Sequence, residues 1–224
     1  MGSGAMDFEE KIKVTAAEIE EAKAKNNFTN PIYISVDEYG SFGRNFLAVL
    51  PTAQCLNSFI RHADIVKMAD FTMLTSLLSN DLKNGTFKSP LFYTFKLFSN
   101  NCRGNSVDTY VDCDTFNTEK YKGIPYLDVT TVHAKDSNIV YINVVNRSHD
   151  KAITANITST QGSFTGKAAA SIVNSDDLNA AFTFDKQSQY APVIKDVKVS
   201  DNKLSFTFPP HSFTQIKVGI SAKQ

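Results

Sequence analysis

The apolar positions before Gly104 switch between two spacings, whereas those after it keep to one. Ile32, Ile34 and Val36 are separated by single residues, which predicts a strand buried on at least one face that runs into Asp37-Glu38-Tyr39-Gly40. Strict alternation places Glu38 on the side of Ile34 and Val36 and turns Asp37 to the other. Upstream, Thr15-Ala-Ala-Glu18 has the form of a capping box, so a short polar helix is expected to open there and fade at Asn26-Asn27. After a loop at 41–44, Leu56, Phe59 and Ile60 recur at i, i+3 and i+4, predicting a helix over 51–62. Residues 64–69 read as the next strand, the stretch around Asn84-Gly85 as polar loop, and 92–98 as another helix. Helix, strand, helix, strand, helix is the rhythm of a parallel sheet with its crossovers.

Beyond Gly104 only short alternating segments remain, at 107–111, 127–133, 139–145, 152–157, 181–184, 194–199, 204–208 and 213–220. Turn residues such as Asp136-Ser137-Asn138 and Ser200-Asp201-Asn202 separate them. About eight strands at this spacing predict an antiparallel sandwich of jelly-roll type. The expected organisation is a βα segment over 7–103 and a C-terminal β-sandwich over 104–224, with 1–6 read as a cloning scar and left out of the fold.

Composition removes several classes of function. Lys+Arg and Asp+Glu both number 23 in 224 residues, and no basic cluster is dense enough for a nucleic-acid surface. A membrane partner is excluded as well, because no apolar run reaches the length of about eighteen residues that a span needs. Four scattered histidines and three cysteines lack metal-ligand spacing, so neither a metal nor a cofactor is expected. Free thiols and a Cys102–Cys113 bridge both remain open. No signal peptide follows the leader, and the compartment is unknown. The sequons at Asn27, Asn84, Asn146 and Asn156 matter only in a eukaryotic secretory pathway.

The candidate chemistry lies at Asp37-Glu38. A carboxylate at the C-terminal end of a parallel strand can attack a sugar carbon or stabilise the cation formed on it. The plainer reading is a loop-entry carboxylate that caps the next segment or pairs with Arg44. His62-Ala-Asp64 reads better as a helix-end histidine near backbone carbonyls than as an acid/base pair. Phe92, Tyr93, Phe95 and Phe98 have helical spacing and read as core packing rather than a sugar platform. Tyr121 and Tyr126 are the better stacking candidates, and the chain has no tryptophan.

Several stretches taken together resemble a known family. Leu56-Asn-Ser-Phe-Ile-Arg-His-Ala-Asp-Ile-Val-Lys-Met-Ala69 is similar to the penultimate helix and last barrel strand of family 51 glycoside hydrolases, the α-L-arabinofuranosidases. Pro125-Tyr-Leu-Asp128, Val144-Val-Asn-Arg-Ser148 and Phe208-Pro-Pro-His-Ser-Phe-Thr214 resemble landmarks of that family's C-terminal sandwich. The resemblance implies a partial (β/α) barrel followed by the sandwich. It implies a retaining hydrolase of arabinose-containing glycans, in which Asp37-Glu38-Tyr39 carries the nucleophile role onto Glu38. Tyr39 and Met73 become weak candidates for substrate binding, with Tyr39-Gly40 standing where the family has Trp-Asn and Met73 where it often has glutamine.

No Asn-Glu strand end supplies the partner acid/base, and only about two of eight βα units precede the sandwich. The isolated chain is therefore expected to be inactive, as the C-terminal portion of a longer enzyme. Its open barrel strands are expected to self-associate or to take up a complementing N-terminal barrel half. The alternative from another class is a non-catalytic carbohydrate-binding or scaffold sandwich.

Overall fold

A computed structural model describes residues 4–40, 45–72, 77–180, 182–200 and 202–221. The chain opens with α1 (Gly4–Lys25), which begins well before the expected capping box. Thr15 therefore lies mid-helix, and Asp7 occupies the first turn instead, where a carboxylate suits the helix dipole. Residues 4–6 belong to this helix, and Ala5 and Ile12 are buried.

Strand β1 (Ile34–Tyr39), helix α2 (Val49–Arg61) and strand β2 (Val66–Phe71) form a βαβ unit with the two strands parallel. A 3-10 turn over Phe46–Ala48 leads into α2. The helix buries Val49, Leu50 and Ala53 most deeply, with the polar Gln54, Asn57 and Ser58 beside them. Leu56, Phe59 and Ile60 are only half-buried.

The polar loop expected around Asn84-Gly85 is instead a hairpin of β3 (Leu78–Asp81) and β4 (Gly85–Lys88). Its turn is closed by the Asp81 carboxylate, which accepts from the backbone N–H groups of Lys83 and Asn84. Helix α3 (Pro90–Asn101) follows with proline in its first turn, and the Ser89 side chain accepts from Leu91 N–H as its N-cap.

The rest is antiparallel β-structure: β5 (Gly104–Val107), β6 (Thr115–Phe116), β7 (Ile124–Pro125), β8 (Leu127–Ala134), β9 (Ile139–Asn146), β10 (Ile153–Thr158), β11 (Ser163–Val173), β12 (Val193–Val197), β13 (Val199–Ser200), β14 (Lys203–Phe208) and β15 (Ser212–Ser221). A six-stranded sheet in the order β12-β11-β15-β9-β8-β5 packs against a three-stranded sheet, β10-β14-β13. Between them lies a core built from Leu127, Val140, Ile142, Val144, Ile216 and Val218 on one side and Leu204 and Phe208 on the other. The sandwich is as expected, but several of its strands are not, and the segment expected at 194–199 is divided between β12 and β13 in different sheets. Strand β11 was not anticipated, and the strand expected over 181–184 is replaced by a 3-10 turn over Phe184–Lys186 (residue 181 lies outside the described residues). Strand β5 overlaps the segment expected at 107–111 only at Val107. All three cysteines are free thiols, so the Cys102–Cys113 alternative falls.

The opposite face of the six-stranded sheet is covered by α2 and α3, giving three layers. Phe98 stacks on Phe213 at 4.9 Å, and Phe46, Leu50, Ala53 and Leu91 close around Val145 and Val173. A line of side-chain hydrogen bonds crosses the same interface. Asn57 Nδ2 donates to Asp128 Oδ2 (3.2 Å), Thr130 Oγ1 to Asn57 Oδ1 (2.8 Å), and Asn143 Nδ2 to Thr130 Oγ1 (3.3 Å). Gln215 Nε2 then donates to Asn143 Oδ1 (2.7 Å), and Asn101 Nδ2 to Gln215 Oε1 (2.6 Å). Asn57, Asn143 and Gln215 each use both donor and acceptor, so these three amides are buried without being orphaned. The α2 layer that carries β1 and β2 is thereby fixed to the sandwich.

Candidate functional site at the end of the first strand

The register of the two parallel strands decides where Glu38 points. Val36 pairs with Ala69 and Tyr39 with Phe71, so three steps along β1 match two along β2. The surplus residue is a β-bulge at Asp37-Glu38. A second irregularity, near Lys67, lets Ile34 pair with Val66 and Ser35 with Met68. Residues that pair across parallel strands share a face. Ile34, Val36 and Tyr39 therefore lie with Val66, Ala69 and Phe71, all buried or half-buried, on the side of the helices. Ser35, Asp37, Glu38, Met68 and Asp70 lie on the other side, and all five are exposed, Met68 by 59 %.

This corrects the expectation from strict alternation. Glu38 does not share the face of Ile34 and Val36, because the bulge turns it to the open face and gives Tyr39 the inner position. Among the described residues Glu38 has neither a hydrogen bond nor an ion pair, while Asp37 accepts from Ser35 Oγ at 3.2 Å. Arg44, the partner in the plainer reading, lies outside the described residues.

Tyr39, 7 % exposed, sits in an aromatic socket. Its ring centroid is 4.7 Å from Phe59 of α2 and 5.4 Å from Phe71 of β2, and 6.5 Å from both Phe8 of α1 and Phe95 of α3. Burial raises its hydroxyl pKa, and Cys55 and Asp70 add to the effect. A ring so placed packs the helical layer and faces away from the open side, which removes Tyr39 as a substrate-binding candidate. Gly40 follows at φ +153°, where a Cβ would stand 2.9 Å from the Phe71 ring. Met73, the other weak candidate, lies outside the described residues.

The remaining aromatic and histidine candidates are committed to packing. His62 Nε2 lies 3.2 Å from Glu9 Oε1 of α1, so its carboxylate neighbour is Glu9 rather than Asp64. Phe95 packs on Phe71 at 4.5 Å and Phe98 on Phe213, as core residues do. The Tyr121 hydroxyl lies 2.7 Å from Asp7 Oδ1 and within hydrogen-bond reach of Glu10 Oε2, its single proton shared between the two carboxylates, which pins α1 to the loop between β6 and β7. Tyr126 packs on Phe116 at 4.9 Å. Two surface hollows, of about 430 Å³ beside Asp7, Lys11 and Lys120 and about 240 Å³ beside Asn174 and Tyr190, lie away from Glu38. Among the described residues no group of three or more His, Cys, Asp or Glu could hold a metal ion. Nor is any described helix long and apolar enough to cross a membrane.

One charged group was missed as such. Asp128, 4 % exposed, receives Arg61 Nη2 at 2.5 Å and lies 3.3 Å from Arg147 Nη2. Burial alone would lower the Arg61 pKa, but the Asp128 and Glu9 carboxylates hold it above its ordinary value. Asp128 stood only within a resemblance motif, and a single acidic residue in a strand carries no sign of its two arginines.

Comparison with known proteins places this architecture. The profile of the α-L-arabinofuranosidase C-terminal domain matches residues 43–212. The chain belongs to that family and corresponds to the C-terminal portion of family 51 arabinofuranosidases. The probable α-L-arabinofuranosidase C of Aspergillus clavatus is 30 % identical over 177 residues, covering 75 % of this chain and 33 % of its own length. The intracellular exo-α-(1→5)-L-arabinofuranosidase 1 of Bacillus subtilis is 24 % identical over 239 residues, covering 95 % and 47 %. Among solved structures, a family 51 α-L-arabinofuranosidase from Bifidobacterium longum superposes with a TM-score of 0.86 at 18 % identity, over 96 % of this chain and 47 % of that one. The arabinose complex of the Thermotoga maritima α-L-arabinofuranosidase gives 0.83 at 20 % identity, over 97 % and 49 %. The chain thus spans a third to a half of the length of the relatives it matches.

Proposed function

We propose that this chain is the nucleophile-bearing portion of a retaining α-L-arabinofuranosidase, with 7–103 forming the end of a (β/α) barrel and 104–224 its companion sandwich. One observation carries the reading: the bulge after Val36 delivers Glu38, unpaired among the described residues, to the open face at the C-terminal end of a parallel strand. In the reaction a Glu38 carboxylate oxygen bonds to the anomeric carbon as the bond to the departing oxygen breaks. Water then cleaves the glycosyl ester and restores the carboxylate. The departing oxygen needs a proton from a second carboxyl about 5–5.5 Å from the first.

That second carboxyl comes from outside this chain, together with about six further βα units. Three features support further barrel units packed beside this sheet: the unmatched half of the relatives, the two-stranded parallel sheet, and the exposed Met68 on its open face. A sheet of two strands is marginal by itself. Without the acid, turnover lacks a contribution of about 10²–10⁴.

The test is hydrolysis of a nitrophenyl α-L-arabinofuranoside by the chain alone and by the chain mixed with an N-terminal barrel half. Activity only in the mixture, abolished by Glu38→Ala, is the expected result. Arabinan binding by the chain alone, with the mixture inactive and Glu38→Ala neutral, would replace this reading with a non-catalytic module.

A further inference from the structure

We infer that Tyr39 is a positioning residue for Glu38, its ring holding the bulge that turns the carboxylate to the open face. The inference rests on the nucleophile reading above, and its test follows side-chain direction, not turnover. The inner position at this end of β1 can take one side chain. In an unbulged strand it would receive Glu38, a carboxylate among the rings of Phe8, Phe59, Phe71 and Phe95, none of which can pair with its charge. Inserting one residue gives that position to an aromatic ring and sends the carboxylate outward.

The arrangement is clamped on both sides of Glu38. Asp37 is engaged by Ser35 Oγ, and the Tyr39 carbonyl accepts from Thr72 N–H at 2.9 Å. Gly40 leaves room for the Phe71 ring. The socket rings come from α1, α2, β2 and α3, so the direction of Glu38 depends on how all four elements pack. The Tyr39 hydroxyl has no hydrogen bond among the described residues. The ring alone does the holding.

The test is carbodiimide-driven coupling of an amine to carboxylates, assigned to individual carboxylates by fragmentation mass spectrometry. Glu20, whose side chain is 66 % exposed, serves as internal reference. Tyr39→Phe should label Glu38 as the parent does. In Tyr39→Asp neither side chain favours the socket, so nothing offsets the bulge: the strand returns to alternation, the outward state becomes the minor one, and Glu38 labelling falls about tenfold relative to Glu20. Deleting Asp37 makes alternation itself send Glu38 outward, so in that background Tyr39→Asp should leave labelling unchanged.

Full labelling in Tyr39→Asp, or its loss in Tyr39→Phe, overturns the inference. So does a tenfold fall that persists without Asp37, which would report an effect independent of alternation. None of these results depends on whether the completed barrel hydrolyses arabinofuranosides.

Discussion

Replacing Asp128 by alanine should be among the most damaging single changes to this chain. The carboxylate is buried where the helical layer meets the sheet, and it serves Arg61, Arg147 and Asn57 together. Removing one partner of a buried ion pair costs about 3–5 kcal/mol, because the other charge stays desolvated. The low end applies here. Arg61 keeps Glu9 at 2.7 Å, and Arg147 keeps Gln54 Oε1 at 2.7 Å and the Pro125 carbonyl at 3.0 Å. A loss of about 3 kcal/mol corresponds to a melting point lower by about 6–12 °C at this chain length. Asp128→Asn retains an acceptor for Asn57 and gives up only the charge, so it should cost about 2 kcal/mol. Urea and thermal unfolding of both variants measure this, with exposed Asp108→Ala as a control expected within about 0.5 kcal/mol of the parent. An Asp128→Ala chain within about 1 kcal/mol of the parent would refute the reasoning, since the arginines would then be paired elsewhere or solvated.

Two further outcomes follow from α1 and the strand end. Burial tends to raise the Glu9 pKa, but Arg61, Lys13 and His62 outweigh it and hold the group below 4.5. A depressed carboxyl stabilises the fold above its unfolded value and loses that contribution as pH falls through the folded value. The melting-point gap between the parent and Glu9→Gln should therefore be present at about pH 7 and close below 4.5; a gap independent of pH would contradict this. Gly40→Ala should destabilise by more than about 1 kcal/mol, since φ +153° and the Phe71 ring both oppose a Cβ; a neutral melt would count against the close approach.

Sequence patterning went furthest where a side chain's own neighbours along the chain decide its environment. The β1–α2–β2 unit, α3 and the strands β8, β9, β14 and β15 were legible because their apolar spacing is local. Strand β11 was not. Its middle reads Lys167-Ala-Ala-Ala-Ser171, and alanine disfavours strands in isolation; here Ala168 and Ala170 are small residues pressed between β12 and β15. Helix α1 was entered too late because a capping-box pattern can occur inside a helix that tertiary contacts through Ala5, Phe8 and Ile12 have already begun.

The site shows the same limit. Glu38 was singled out from its type and its place after an apolar strand, but its expected direction was wrong. A bulge is a relation between two strands, and one strand's periodicity cannot contain it. The packing of Tyr39 was hidden for the same reason, since its four ring partners come from distant segments.

Whether the carboxylate aimed by the bulge forms the covalent intermediate can be read directly by mass spectrometry. The chain, complemented with an N-terminal barrel half, is treated with a 2-fluoro arabinofuranosyl inactivator, digested and mapped. A sugar adduct on the peptide containing Glu38, absent in Glu38→Gln and absent without the complementing half, is the predicted result. An adduct on any other carboxylate, with Glu38 unmodified, would contradict the account.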